Sequence, residues 1–142
     1  MRFGRHSPCE PPEIKGSQML LNRSADVAKV RVESIEGEPI YGGELLVKPM
    51  MNGDEMTFLE IHYEPGVGAP VHVHNHESLA YVVSGQVKMT VGDDVFIAGP
   101  GDVCRHPAGV PHGVEAIEAS VMVEVKAPAP DMRSFFALAN DA

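Results

Sequence analysis

Between Met56 and Lys126 the chain is a series of short, valine-rich segments, each cut off after a few residues by glycine or proline. That punctuation leaves no stretch long enough for a buried helix. It suits short strands joined by tight turns. The strands expected on this pattern are Met56–Tyr63, Val71–His74, Leu79–Val83, Gln86–Val91, Val95–Ala98, Val103–Arg105, Val114–Glu118 and Ser120–Lys126. Gln86–Val91 and Val95–Ala98 form a hairpin across Gly92-Asp93, where glycine and aspartate tolerate the positive φ of a tight turn. Ala28–Val32 and Glu44–Val47 are weaker strand candidates upstream. The fold class expected is all-β, an antiparallel sandwich or a single closed barrel.

The 142 residues favour one domain, and 44% hydrophobic residues suffice for a core without disulfides. Residues 1–18, rich in proline, read as an irregular leader, with Met19 as an alternative start. Residues 19–130 read as the barrel, and 131–142 as a tail in which Asp131–Asn140 forms a helical turn or two. A net charge of −9 with no basic cluster argues against nucleic acid and anionic membranes. No apolar run has the length of a membrane span or a secretion signal, so the cytoplasm is the expected location. Cys9 and Cys104 are too few for a disulfide framework, and Cys104 reads as a small buried hydrophobe.

Three of the seven histidines fall within Val71–His76. Residues two apart in a strand point the same way, so His72 and His74 project from one face with their rings able to share an ion. A third ligand must come from elsewhere, and His112 in the segment PAGVPHG is the candidate. Pro107, Gly109 and Pro111 stiffen the loop that presents it.

Residues 66–85, GVGAPVHVHNHESLAYVVSG, and 101–116, GDVCRHPAGVPHGVEA, resemble the two sequence motifs of the cupin superfamily, in order and spacing. The resemblance covers roughly residues 56–126. It implies a jelly-roll barrel, the double-stranded β-helix of small single-domain cupins. It also implies one divalent transition metal on His72, His74 and His112, with Fe, Mn, Ni, Zn and Cu not distinguished by the ligands. The motif departs at two points. Its glutamate position falls on Ser78, and Glu77 lies one residue early, on the opposite face of a strand. Glu77 becomes a fourth ligand only if a bulge rotates this turn. Ala116 replaces a non-ligating asparagine.

Other residues are read more plainly. His76 is expected at the barrel rim, and His106 in a structural or surface role. On Met56–Tyr63, Glu60 and His62 share one face. They become proton-transfer candidates if that face lines the barrel, which the sequence leaves open. The function expected is that of a metalloenzyme on a small organic molecule, either a dioxygenase or an isomerase or ring-opening enzyme of sugar acids. The alternative is a non-catalytic module that binds or senses a small ligand. Members of the family usually pair through edge strands, so a homodimer is expected.

Overall fold

The computed structural model describes residues 20–131 and 136–138; the expected leader, 1–18, lies outside them. A 3₁₀ turn at Ser24–Asp26 precedes twelve strands. They are β1 (Val30–Ile35), β2 (Glu38–Pro39), β3 (Leu45–Asn52), β4 (Thr57–Tyr63), β5 (Gly68–His72) and β6 (Glu77–Ser84). Then come β7 (Val87–Val91), β8 (Asp94–Ala98), β9 (Val103–His106), β10 (His112–Ala116), β11 (Ser120–Ala127) and β12 (Phe136–Leu138). Among the described residues there is no α-helix. The strands form two antiparallel sheets. One runs β12-β1-β3-β4-β11-β6-β9 with β2 beside β1; the other runs β5-β10-β7-β8.

The two sheets curl into the jelly roll, and period-two alternation fills it. Thr57, Leu59, Ile61 and Tyr63 of β4 point inward, as do Val82 of β6 and Met122 of β11. Ala69, Val87, Met89 and Val114 face them from the smaller sheet. Cys104 joins this core as expected, and burial lifts its thiol to about 11, well away from a reactive thiolate. Two turns show why glycine is placed where it is. Gly92 takes φ 57° at the first turn position of the β7–β8 hairpin, the place a II′ turn reserves for glycine. A Cβ on Gly113 would come within 3.2 Å of the Ala69 carbonyl oxygen, so its bare backbone lets β10 lie close against β5.

Two expectations need correction, and a third point, left open by the sequence, is decided by the strand pattern. The strand drawn over Val71–His74 starts earlier and stops at His72. The helical turn expected over Asp131–Asn140 is not present in its described part: Phe136–Leu138 is a strand paired with β1. Tertiary pairing along an open strand outweighs the weak local helix preference there. The third concerns β4. Its inward face is the Thr57–Tyr63 set, so Glu60 and His62 lie on the outer face. There His62 Nε2 lies 2.7 Å from Glu60 Oε1, and Ser24 Oγ donates to Glu60 at 3.2 Å. These bonds and Lys48 hold the Glu60 carboxyl below its usual range, outweighing slight burial. The pair ties the 3₁₀ turn to the outside of the sheet and is not a proton-transfer group of the barrel interior.

Candidate metal centre

The inward alternation does not stop where β5 stops. From Val71 to Val82 buried and exposed residues alternate without a break, so His72, His74, His76 and Ser78 all face inward. His112 opens β10 directly opposite His72 on the neighbouring strand. Strand register therefore brings His72 and His112 together, and the extension beyond β5 adds His74. The ring centroids of His72 lie 4.5 Å from His74 and 4.4 Å from His112. Each of the three rings offers a nitrogen, and these nitrogens lie within 4.8 Å of one another.

The hydrogen bonds say which nitrogen. His72 Nδ1 lies 2.6 Å from the Pro70 carbonyl oxygen, and His112 Nδ1 lies 3.3 Å from that of Val110. A carbonyl only accepts, so Nδ1 carries the proton on both rings. His74 Nδ1 lies 2.9 Å from Glu36 Oε1, another acceptor. In all three the lone pair then belongs to Nε2, the arrangement a metal ligand requires. Burial lowers the pKa of each ring. His112 falls to about 3, with His106 and His72 adding to the effect. His72 is lowered and His74 lowered far below the histidine range, the latter also by Lys126. Neutral rings at neutral pH are ready to bind a cation, and the His74–Glu36 contact is a neutral N–H donating to a carboxylate rather than an ion pair. A soft-to-borderline divalent ion fits this donor set.

The carboxylate slot of the motif is filled differently. Lys126, Ser78 and His106 stand in register across β11, β6 and β9, all on the inner face. Lys126 Nζ donates to Ser78 Oγ at 2.9 Å and to Glu124 Oε2 at 3.0 Å. All four side chains are buried. Although burial opposes it, the Lys126 charge, with His106 and His112, pulls the Glu124 carboxyl down to about 2. Glu124 Oε1 lies 3.9 Å from His106 Nδ1, too far for a hydrogen bond, and among the described residues neither ring nitrogen of His106 has a hydrogen-bond partner. His106 packs against His112, with centroids 4.3 Å apart. The enclosed space among His72, His74, His106, His112, Glu124 and Lys126 is about 20 Å³, enough for an ion or a single water. At the mouth, a hollow of about 210 Å³ is lined by Glu36, Asn75, His76 and Asp131.

His72, His74 and His112 are thus brought together. Glu77 is not: it is exposed on the outer face, where Arg105 Nε donates to it at 2.9 Å. No bulge interrupts the alternation before it, so the rotation it needs is absent. The surface reading of His106 is corrected, since it is buried inside the barrel; His76 stands at the mouth, as expected of a rim residue, but is itself buried. His76 stacks on His74 at 4.3 Å, and burial, with Lys126, lowers its pKa to about 4. Sequence reading missed Glu124, Lys126 and Glu36. The alternation of Ser120–Lys126 carried a signal for the first two, since a charged pair two residues apart shares one face. Nothing in the motifs pointed to Glu36.

A family model described as the cupin domain matches residues 59–125. The chain is 28% identical over 83 residues to the oxalate decarboxylase OxdC of Bacillus subtilis (strain 168), covering 55% of this chain. That stretch is 22% of the relative's length, so the chain spans about a fifth of the curated protein it matches. An RmlC-like cupin from Shewanella frigidimarina superposes with a TM-score of 0.68 at 22% identity, over 80% of this chain and 94% of that one. A predicted oxalate decarboxylase from Thermotoga maritima gives 0.67 at 18% identity, over 77% and 99%. Both motifs lie inside the matched segment, and the solved structures carry the same jelly roll; together they support a small cupin-superfamily domain in this chain.

Proposed function

We propose that this cupin is a metal-dependent enzyme acting on a small carboxylate-bearing molecule. The observation that carries the reading is the neutral ligand set. Three uncharged imidazoles leave the charge of a divalent ion uncompensated inside a buried cavity. The residue at the motif's glutamate position is Ser78, and its hydroxyl is engaged by Lys126. An anionic oxygen ligand from outside would complete both charge and coordination. The similarity to OxdC, an oxalate decarboxylase, points to the same substrate class.

A divalent ion on His72, His74 and His112 would supply Lewis acidity, and electron transfer where the metal is reducible. Dioxygenation and sugar-acid isomerisation or ring opening both remain within that chemistry. The chain's own contribution is to hold the three rings neutral and oriented, to limit the space beside them to about 20 Å³, and to keep His106 beside the ligands. The second reading is a non-catalytic module that binds or senses a small acid. The narrowness of the cavity favours it, since a substrate larger than a few atoms must bind in the hollow at the mouth. We also propose a homodimer, supported by Leu79, Tyr81, Val83 and Val103, each about half exposed or more on the outer face of β6 and β9.

The test is elemental analysis of protein purified without an affinity tag, followed by calorimetric titration of metal-loaded and metal-stripped protein with oxalate and a hexuronate. The expected result is about one transition metal per chain and metal-dependent binding of the small acid. Absence of metal from both purified and reconstituted protein would overturn the reading. Metal-dependent binding with no consumption of any acid tested would favour the sensing module.

A further inference from the structure

We infer that Glu36, on the β1–β2 turn, is the positioning residue of the metal centre: its carboxylate fixes His74 with the ligating lone pair on Nε2. The inference rests on the metal-site reading above and adds a residue outside both motifs and outside the matched cupin segment.

The geometry is specific. His72 and His112 are fixed by carbonyls two residues behind them in the chain, Pro70 on β5 and Val110 in the loop that leads into β10. His74 lies beyond the end of β5, and its Nδ1 is met 2.9 Å away by a side chain 38 residues earlier in the chain. A carboxylate on the distal nitrogen does two things to an imidazole ligand. It selects the tautomer, and it raises the basicity of the ligating nitrogen. Glu36 also returns a negative charge to a site whose motif carboxylate is replaced by Ser78. The charge now acts through a ring instead of on the ion directly.

The turn shows that this residue is held against local preference. Ile35 and Glu38 pair, so Glu36 and Gly37 are the two turn residues. Both take positive φ, 50° and 79°. Such turns favour Asn-Gly or Gly-Gly, because a side chain is strained at positive φ. Glu36 is the one non-glycine residue with positive φ among those described. The glutamate side chain reaches His74 from this position, whereas glycine, which the turn prefers, has no side chain to do so. The side chain of Glu36 is about a third exposed and lines the hollow at the mouth, whereas His74 is buried. The carboxylate thus bridges solvent and ligand.

Glu36→Gly separates a positioning role from a structural one, because glycine relieves the turn while removing the carboxylate. The expected result is an unchanged or higher melting temperature of metal-free protein, with zinc affinity 10–100-fold weaker in a competition assay against a chromophoric chelator. Glu36→Gln, which keeps an acceptor but not the charge, should fall between the two. Long-range ¹H–¹⁵N spectra of metal-free protein should show His74 as the Nδ1–H tautomer in wild type, and a mixture in Glu36→Gly. Equal zinc affinity in wild type and Glu36→Gly, with wild type binding zinc, would overturn the inference. So would an unchanged His74 tautomer, and this readout decides the matter even if wild type binds no metal. In that event the metal-site reading fails separately.

Discussion

Lys126 Nζ donates to Ser78 Oγ at 2.9 Å, across the β11–β6 ladder, in the slot where the cupin motif places a ligating carboxylate. A lysine there inverts the local charge, and the inversion is tolerable only because Glu124 lies 3.0 Å away on the same face of β11. A buried ion pair contributes little net stability when intact, yet is costly to break, since one charge is left without compensation.

Lys126→Met should therefore lower the unfolding free energy by about 3–5 kcal/mol, by stranding Glu124. Lys126→Met combined with Glu124→Leu should recover most of that loss. Urea unfolding of the three proteins checks it; a loss under about 1 kcal/mol in the single variant would mean that Glu124 finds another partner.

Ser78→Glu restores the motif carboxylate but places it beside the Lys126 ammonium. The single change should raise zinc affinity only modestly, because the lysine claims the new charge. In Ser78→Glu with Lys126→Gln, affinity should rise about tenfold over wild type, equivalent to about 1.4 kcal/mol. Competition titrations compare the proteins, and equal tightening in both would show that Lys126 does not govern the slot.

Replacing His72, His74 or His112 by alanine should each remove most of the bound metal. Glu60→Gln and His62→Ala, on the outer face of β4, should leave it unchanged. Elemental analysis of the five variants is sufficient, and full metal content in the His112 variant would sink the ligand assignment.

Acid should weaken the metal-free protein. His112 and His76 have folded pKa values of about 3 and about 4, below the ordinary 6.5. The unfolded chain binds those protons first, so stability is intact above about pH 6.5 and falls as pH drops toward the folded values. Each such histidine removes up to about 1.4 kcal/mol per pH unit. Glu124, pulled down to about 2, adds a later loss as pH falls from about 4.5. Urea midpoints between pH 7.5 and 5 should decline steadily; a flat profile would contradict the neutral burial of these rings.

Light scattering should give twice the mass of one chain, and Tyr81→Glu, on the exposed face of β6, should halve it. A monomer in wild type at micromolar concentration would remove the dimer.

The barrel and the His72–His74 pair were legible in the sequence because they rest on period two and on turns, which are local; His112 was legible only through the order and spacing of the two motifs. Gly92, Pro107 and Gly109 mark the turns, and two-residue spacing aligns His72 with His74. What local pattern does not carry is which face of a strand turns inward. That choice decided Glu60 and His62 against the site and Glu124 and Lys126 for it, and it depends on neighbouring strands. The surface alternative for His106 failed for the same cause. Glu36 lay further from reach, because its role depends on a hairpin folding over a segment 38 residues away.

The end of β5 at His72 carries a last consequence. His74 and His76 ride on four residues that belong to no ladder, tied by the Gly109 N–H to the His74 carbonyl at 2.8 Å. In metal-free protein, amide hydrogens of residues 73–76 should exchange faster than those of β5 and β10. A bound ion would then stitch this loosely held stretch to the sheet. Part of the binding free energy would then go into ordering residues 73–76, and Gly109, through its bond to the His74 carbonyl, would help set how tightly a metal is kept.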